Sequence, residues 1–398
     1  MPDTLGLHRP HRVHRLVCWA LFAALSLGAC GSGDTPPTNS NAGGGTPLTY
    51  GIGGTTSVGG FVFVANSGAD SISEFTIDPA SGALAAVGPP VATDRGPTAI
   101  AGTFDKKYLY VSNSGSNDVA AFSIDLNSGA LTTVPGAPFA AGKNPSAVAV
   151  YTASFVSSKG GGVGPVSYRG YAYAANTGSD TVSAYQIDQN TGVLTPIASY
   201  ATGTGPSVIA VRADGEFLYI ANTGGSRNIS AFQINGYYGD LSPVVGSPFS
   251  SGDNVSSLAF GAGEAFLYAA NASGGTASIM GFSIHPLGTD ANSGALTALP
   301  GVAYDLPSCN YITTDQTGAL LYATAGTNVF GFSIDQHTGT LSPLPGFPVA
   351  VGGSADSVSI DPTNQFLYVT NRSTGKVTGF NLNSVTGELT TMPGSPPP

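Results

Sequence analysis

An apolar, aromatic-rich segment of six residues recurs along the chain, and its last residue marks an equivalent position in every copy. The seven copies read FVFVAN, YLYVSN, YAYAAN, FLYIAN, FLYAAN, LLYATA and FLYVTN, and they end at Asn66, Asn113, Asn176, Asn222, Asn271, Ala325 and Asn371. Successive copies are 47, 63, 46, 49, 54 and 46 residues apart. Because the segments are short and rich in aromatic and β-branched residues, they favour strands over helices. We call them the anchor strands.

Each anchor strand opens a unit with the same order of patterns. A strand with alternating polar and apolar residues follows it, as in SISEFTID and KVTGFNLN, and then a turn and a third strand such as SGAL or TGEL. A passage rich in Pro and Gly leads to a short apolar strand such as PTAIAG or PSVIAV. Four short strands per unit, joined by Gly, Asn and Pro turns, are typical of a propeller blade. The sequence therefore predicts an all-β fold, a seven-bladed β-propeller over residues 59–398 with four antiparallel strands per blade.

An array of immunoglobulin-like sandwiches is the alternative for an all-β repeat, but it needs roughly 100 residues per unit. Two stretches interrupt the repeat, residues 151–170 and the turn HPLGTDANSG that begins at His285. We interpret both as loop insertions on the face where the innermost strands join the anchor strands. The Asn that ends an anchor strand is interpreted as a turn former rather than a channel residue, because Asn bonds readily to its own turn backbone.

The first residues have the layout of a bacterial secretory signal. Basic residues between His8 and Arg15 precede an apolar run that ends in Leu27-Gly28-Ala29-Cys30. This ending resembles the lipobox of bacterial lipoproteins, which implies a signal peptide over residues 1–29 and a lipidated N-terminus at Cys30. An ordinary signal peptide with an incidental Cys is the alternative. Gly31 follows the Cys, so the resemblance points to the outer membrane, and residues 30–58 are expected to form a flexible tether.

The charge and the Cys and His content of the chain exclude several classes of function. The chain has 13 basic and 23 acidic residues, and loss of the leader with Asp3, Arg9, Arg12 and Arg15 leaves 10 against 22, a net charge of −12. Such a body has no cationic surface for phosphate backbones, so we expect no nucleic-acid partner. Cys309 would be the one thiol of the exported body, which excludes an internal disulfide. No Cys or His pattern suits a metal or haem, and we expect no cofactor and a monomer.

The units FLYVTN…VTGFNL…TGEL and FDKKYLYVSN…VAAFSID…SGAL resemble the seven-bladed lactonase family, which includes bacterial 6-phosphogluconolactonase and fungal carboxymuconate cyclase. The FLYVTN element is also similar to YVTN-type surface-layer propellers. The resemblance covers about residues 60–391. It implies a Pro-x-His element at the start of innermost strands, with Arg and Glu nearby, facing the channel. The corresponding elements here are expected to place Ala99, Ala147, Val208, Ser257, Cys309 and Ala355 at the His position.

The two His residues of the mature chain, His285 and His337, fall in outer hairpins and are interpreted as surface turn residues. Side chains near the starts of innermost strands are the candidate binding residues of the channel rim: Arg95, Lys143, Asp253, Tyr304, Asp305, Tyr311 and Asp356. A hydroxyl also recurs at the strand starts, at Thr98, Ser146, Ser207, Ser256, Ser308 and Ser354. We interpret these hydroxyls as partners for backbone groups rather than as a ligand-binding ring.

Two functions remain open at this point. One is an envelope-anchored propeller without the family's catalytic His residues, which binds a glycan or an envelope protein. The other is a lactonase similar to 6-phosphogluconolactonase, which opens a small lactone at the channel mouth with the mixed charges of the rim. Catalytic residues are not assigned from the sequence, and no metal site is expected. The second function rests on resemblance of fold, and one fold hosts many functions.

Overall fold

The computed structural model describes residues 60–392, apart from 104, 157–165, 253, 273–278, 289–291, 305, 307–308, 362, 372 and 375. The predicted leader and the whole predicted tether, including Cys30, lie outside this range. The described chain forms antiparallel sheets arranged as seven blades, I to VII, in a ring. The predicted all-β, seven-bladed propeller is confirmed.

Within a blade the strands come in one order along the chain: innermost, anchor, third and outer. Blade I has β1 (Gly60–Asn66), β2 (Ser71–Ile77), β3 (Leu84–Ala86) and β4 (Val91–Ala92). β1, the first strand that the structure describes, is the anchor strand of blade I. From here on, the third strand is the one with alternating polar and apolar residues, such as β2, and the outer strand is the one that reads SGAL or TGEL in the sequence, such as β3. Blade II has β5 (Pro97–Gly102), β6 (Tyr108–Asn113), β7 (Asp118–Ile124), β8 (Leu131–Thr133) and β9 (Phe139–Ala140). Blade III has β10 (Pro145–Val156), β11 (Val166–Asn176), β12 (Thr181–Ile187) and β13 (Leu194–Ala201).

The remaining blades repeat this order. Blade IV has β14 (Pro206–Val211), β15 (Phe217–Asn222), β16 (Asn228–Ile234), β17 (Leu241–Pro243) and β18 (Phe249–Ser250). Blade V has β19 (Val255–Gly261), β20 (Phe266–Asn271), β21 (Ile279–Ile284) and β22 (Leu296–Tyr304). Blade VI has β23 (Cys309–Thr314), β24 (Leu320–Ala325), β25 (Asn328–Ile334), β26 (Leu341–Pro343) and β27 (Val349–Ala350). Blade VII has β28 (Ala355–Ile360), β29 (Phe366–Asn371), β30 (Lys376–Leu382) and β31 (Leu389–Thr391).

The anchor strands are the most buried part of each blade. Every residue of β6, β15, β20, β24 and β29 is buried, because a neighbouring blade covers each face of the sheet. This explains why the anchor strands read as continuous apolar runs and not as an alternating pattern. The outer strands lie at the rim of the disc and are largely exposed.

A repeated contact joins neighbouring blades at six of the seven interfaces. The third residue of an anchor strand is Tyr in six blades, and its hydroxyl donates to the carbonyl of the Gly in the neighbouring blade's outer turn. The six pairs are Tyr110–Gly192, Tyr173–Gly239, Tyr219–Gly294, Tyr268–Gly339, Tyr322–Gly387 and Tyr368–Gly82. The last pair joins blade VII to blade I. Val62 and Val64 also pack with Phe366 and Tyr368, and this contact closes the ring.

The Asn residues that end the anchor strands have a structural role, as expected. The side chain of Asn176, however, bonds to other segments of the same blade rather than to its own turn. Asn176 is buried, and its Nδ2 donates to Thr181 and Ser183 on the next strand. Its Oδ1 accepts from the backbone N–H of Gly142 in the link to the innermost strand. The side chain therefore connects three segments of one blade.

The disc has two faces that carry different connections. The link face holds the turns from anchor to third strands and the links that lead from outer strands into the next innermost strands. The hairpin face holds the turns between innermost and anchor strands and the turns between third and outer strands. The long hairpin of β10 and β11 extends from the hairpin face, and the turn after β21 lies on the same face. This agrees with the predicted face of both insertions. The prediction of a loop over residues 151–170 was wrong where the structure describes that stretch, because residues 151–156 and 166–170 continue the paired strands β10 and β11.

Candidate functional site

The innermost strands surround the axis, and their pairing with the anchor strands fixes which residues are equivalent. The residues opposite the last anchor residue are Pro97, Pro145, Pro206, Val255, Cys309 and Ala355. A register shift follows directly in every case. The sequence prediction was wrong by two residues in blades VI and VII, where it put Cys309 and Ala355 at the third position instead of the first. Pairing with the anchor strand sets the register of these innermost strands.

The corrected register changes the members of the predicted hydroxyl series. The second residues of the innermost strands are Thr98, Ser146, Ser207, Ser256, Asn310 and Asp356. Thr98 Oγ1 donates to the carbonyl of Pro145 at 3.0 Å, and Ser256 Oγ donates to that of Cys309 at 2.9 Å. Asn310 Nδ2 makes the same type of bond to Ala355 at 2.8 Å. These side chains therefore connect neighbouring innermost strands, which confirms that they serve backbone groups. Ser308 lies outside the described residues.

The third residues occupy the position where the resemblance implies His. They are Ala99, Ala147, Val208, Ser257, Tyr311 and Ser357, so none of the six described innermost strands has His there. Ser257 Oγ donates to the carbonyl of Ile312, and the hydroxyls of Ser357 and Thr370 are bonded to each other. Both hydroxyls are therefore engaged within the protein. Without a neighbouring base neither resembles an activated nucleophile.

The two described His residues lie in turns between third and outer strands. His337 is exposed, and its backbone N–H donates to Asp335 Oδ1 as part of the turn. His285 begins the enlarged turn of blade V, where its N–H donates to the carbonyl of Ala295. These turns are at the outer edge of the disc, as predicted. Neither side chain can serve as a base at the axis.

The predicted rim residues are distributed over several blades. Arg95 and Lys143 are exposed in the links to β5 and β10, and their carbonyls accept from the N–H groups of Gly115 and Gly178. Arg95 Nη2 also donates to the carbonyl of Gly115 at 3.3 Å. Two cations thus lie on the link face, on adjacent blades.

The other predicted rim residues have different surroundings. Asp356 is buried in β28, and its carbonyl accepts from Thr324 Oγ1. Tyr311 is half-buried in β23. Tyr304 ends the outer strand β22, where it packs on Phe332 and donates to the carbonyl of Leu341, so it joins blades V and VI away from the axis. Asp253 and Asp305 lie outside the described residues.

A compact group of charges, which the sequence did not indicate, lies on the hairpin face between blades IV and V. Arg212 Nε is 3.3 Å from Asp214 Oδ2 and 3.8 Å from Glu264 Oε2. Glu264 accepts from the backbone N–H of Ala213 and has a φ of 65°. Burial is the main reason that the pKa of Glu264 is raised to about 7. A carboxyl that titrates near neutrality beside a guanidinium can exchange a proton and bind an anion.

A second group of carboxyl groups lies on the link face near Arg95. Burial, with the charges of Asp118 and Asp70, raises the pKa of Asp94. Asp70 Oδ1 accepts from the N–H of Gly96, and Asp118 Oδ1 accepts from Asn113 Nδ2. These bonds give Asp70 and Asp118 structural roles. Within the described part of the chain, no group of three or more His, Cys, Asp or Glu residues is placed to hold a metal ion.

The fold defines the class of protein, a closed seven-bladed propeller. The family model described as "Lactonase, 7-bladed beta-propeller" matches residues 54–150, 165–283 and 280–393. The chain belongs to this lactonase family. A search of curated proteins gave no significant match. Over the described residues, no helix has the length and apolar character needed to cross a membrane.

Solved structures show the same fold at low sequence identity. A 6-phosphogluconolactonase-like protein from Bacteroides fragilis is 20% identical with a TM-score of 0.65, and the match covers 93% of each chain. The periplasmic gluconolactonase PpgL of Pseudomonas aeruginosa is 16% identical with a TM-score of 0.62, over 94% of this chain and 96% of its own. Hydrazine synthase from Kuenenia stuttgartiensis is 18% identical with a TM-score of 0.59, over 85% and 95%. At these identities the similarity shows a shared fold.

Proposed function

We propose that this chain is an envelope-anchored propeller that binds a ligand and does not hydrolyse lactones. The observation that carries the proposal is the third position of the innermost strands, where Ala99, Ala147, Val208, Ser257, Tyr311 and Ser357 replace the His expected from the family resemblance. Hydrolysis of a lactone needs a base and a group that stabilises the developing negative charge. The rim residues predicted from the sequence do not bring such a base and such a stabilising group together at one place.

The distribution of the rim residues supports the same reading. Arg95 and Lys143 belong to blades II and III, whereas Asp356 belongs to blade VII and is buried. Effective catalysis requires the reacting groups within hydrogen-bond reach of one substrate atom. Exposed cations on separate links are better suited to contact with a large ligand that spans blades.

Anchoring is the second part of the proposal. The leader and the residues around Cys30 resemble a lipoprotein signal, and residues 30–58 would then separate the propeller from an outer-membrane surface. The test is fractionation of cells that express the chain or its Cys30→Ser form. The intact chain is expected in the membrane fraction and to incorporate radiolabelled palmitate, and the Cys30→Ser form is expected to do neither. Equal fractionation of the two forms would refute the lipid anchor.

The claim that the chain does not hydrolyse lactones is tested with a panel of sugar lactones, including δ-gluconolactone and 6-phosphogluconolactone. The Cys30→Ser form is compared with the same form that also carries Arg95→Ala and Lys143→Ala. The matched control is Lys376→Ala, which removes an exposed cation from β30. We expect no hydrolysis above the spontaneous rate in any form. Saturable hydrolysis that the double substitution abolishes and Lys376→Ala leaves intact would overturn the proposal.

A second candidate function is lactone hydrolysis at the Arg212–Glu264 pair. The names of the Bacteroides and Pseudomonas neighbours suggest this chemistry, and a carboxyl with a pKa near 7 beside a guanidinium is the specific observation in its favour. Glu264 would act as the base and Arg212 would hold the developing anion. This candidate predicts a rate that rises with pH around 7 and disappears in Glu264→Gln. Absence of turnover in the unsubstituted chain excludes it.

A further inference from the structure

Blade IV departs from the turn that the other blades use between their third and outer strands. In five blades this turn is a five-residue loop that begins with Asp or Asn, has Ser or Thr fourth and ends with Gly, as in Asp125–Gly129. The first residue accepts hydrogen bonds from the turn, and Ser128 donates to Asp125 by both its N–H and its hydroxyl. Blade IV keeps Asn235 and Gly239 but has Tyr238 in the Ser/Thr position and Tyr237 before it. Five other blades form this turn without Phe, Tyr or Trp, so the fold does not require Tyr237 and Tyr238.

Both rings are exposed to solvent. Tyr237 is 48% exposed and Tyr238 is 64% exposed, and they are the only aromatic members among the exposed large hydrophobic residues of the described chain. Their ring centroids are 4.7 Å apart with an interplanar angle of 80°, so they form an edge-to-face pair. The N–H of Tyr238 donates to the Asn235 carbonyl at 3.2 Å and to Asn235 Oδ1 at 3.4 Å, so the turn keeps its backbone bonds. A Tyr side chain cannot add the bond that the Ser128 hydroxyl donates to Asp125, and it exposes apolar surface instead.

The other departure from the repeat lies next to this pair. Arg169 belongs to the long hairpin of blade III, and its Cζ lies 3.8 Å from the centroid of the Tyr237 ring. Its Nη1 donates to the carbonyl of Tyr237 at 2.9 Å. Tyr171 of the same hairpin donates to the carbonyl of Gly236. The hairpin thus holds the aromatic turn in place from the neighbouring blade. We call Tyr237, Tyr238 and Arg169 the aromatic platform.

We propose that the aromatic platform binds the sugar rings of a polysaccharide, an inference that rests on the proposed binding function. A pyranose has an apolar C–H face and a rim of hydroxyl groups, so it pairs with a flat aromatic ring that has polar groups at its edge. Tyrosine offers such a ring and a hydroxyl at low cost in side-chain entropy. The guanidinium of Arg169 adds hydrogen-bond donors beside the rings.

The size and charge of the platform favour a sugar over other occupants. A stable protein interface buries about 800 Å² on each partner and has an apolar centre, which two Tyr residues and one Arg do not provide. Binding to an anionic membrane surface usually relies on a cluster of basic residues, whereas this chain carries a net charge of −10. A sugar ring needs only one aromatic ring and a few hydrogen bonds. The platform is therefore large enough for a sugar ring and too small for a stable protein interface.

The test compares the Cys30→Ser form with the same form that carries Tyr237→Asn and Tyr238→Ser. These substitutions give blade IV the residue types of the other turns, so we expect the variant to fold. The matched control is Val385→Asn in the corresponding turn of blade VII, where Val385 is 88% exposed and occupies the position of Tyr237. The measurement is native affinity electrophoresis in gels that contain dextran, mannan, galactomannan or hydroxyethylcellulose.

We expect at least one of these polysaccharides to retard the unsubstituted form. The double substitution should raise the dissociation constant tenfold or more, and Val385→Asn should leave it unchanged. Retardation by none of the four, or equal retardation of all three forms, would overturn the platform. Binding to phosphatidylethanolamine–phosphatidylglycerol vesicles, or self-association in sedimentation, that disappears with the Tyr residues would also overturn it. These results are separate from the lactone panel, which tests the proposed function itself.

Discussion

The hydroxyl of Tyr368 donates a hydrogen bond to the carbonyl of Gly82 at 2.6 Å, although the two residues are 286 positions apart. Tyr368 is buried in the anchor strand of blade VII, and Gly82 belongs to the outer turn of blade I. Burial raises the pKa of Tyr368, so its hydroxyl remains a neutral donor at any physiological pH. This bond repeats at the last interface a contact that five other interfaces make. The ring therefore closes with the same chemistry that joins its consecutive blades.

Removal of the Tyr368 hydroxyl tests this closure. Tyr368→Phe should lower the free energy of unfolding by about 1–2 kcal/mol, because a buried carbonyl loses its partner. The ring itself fits, since blade I already has Phe63 at the equivalent position. Urea unfolding followed by tyrosine fluorescence measures the loss. Tyr238→Phe removes an exposed hydroxyl and is the control, and an equal effect of both substitutions would contradict the closing role of Tyr368.

The Gly at the end of each outer turn permits the close contact between blades. Gly82 has a φ of 70°, and a Cβ there would lie 2.6 Å from Cδ1 of the Phe366 ring. Gly82→Ala should therefore destabilise the protein by about 2–4 kcal/mol through backbone strain and overpacking. Gly88→Ala is the matched control, because a Cβ at Gly88 meets nothing within 4 Å. Comparable unfolding midpoints for the two variants would show that the contact has no energetic importance.

Glu264 should make stability depend on pH near neutrality. Burial raises the pKa of its carboxyl to about 7 in the folded protein, above its ordinary value of 4.5. The stabilisation that the protonated carboxyl gives to the folded protein is then fully present below about pH 4.5 and is lost as the pH rises through 7. The stability of the wild type relative to Glu264→Gln should fall between pH 5 and pH 7.5 by on the order of 3 kcal/mol. Urea unfolding at several pH values measures it.

The control for this experiment is Glu388→Gln, which removes an exposed carboxylate from the last outer turn. Its effect on stability should not follow the change seen for Glu264. A stability of the wild type relative to Glu264→Gln that stays constant from pH 5 to pH 8, or that rises with pH, would refute a raised pKa at Glu264.

Cys309 should be unreactive in the folded protein. It is fully buried at the start of β23, and burial raises the pKa of its thiol, so little of the reactive thiolate forms at pH 8. In a form that carries Cys18→Ser and Cys30→Ser, Cys309 is the one remaining thiol, and Ellman's reagent should therefore modify it only after denaturation. Rapid modification of one thiol per native molecule would show that the innermost strand of blade VI opens readily.

The sequence predicted the architecture because each blade repeats the same local signals. Anchor strands such as Phe366–Asn371 are buried on both faces and therefore stand out as apolar runs. The sequence could not predict the contacts between blades, since partners such as Tyr219 and Gly294 are 75 residues apart. The recurrence of Tyr in the anchor strands and of Gly in the outer turns was visible, but nothing local indicated that they meet.

The candidate sites were less predictable for the same reason. The register of the innermost strands in blades VI and VII depends on pairing with β24 and β29, and counting back from the anchor strands misplaced Cys309 and Ala355. Glu264 and Arg212 belong to turns of different blades, which the ring brings within 3.8 Å. Arg169 and Tyr237 likewise meet only because the long hairpin of blade III lies beside the outer turn of blade IV.

A structure of the Cys30→Ser form, determined from crystals soaked with δ-gluconolactone and separately with oligosaccharides of the polysaccharide it binds, tests the central claim most directly. The account predicts sugar rings stacked on Tyr238 and Tyr237, with no lactone or ring-opened acid at either channel mouth. A ring-opened acid held by Arg95 and Lys143, or by Arg212 beside Glu264, would contradict it and identify the protein as a lactone hydrolase.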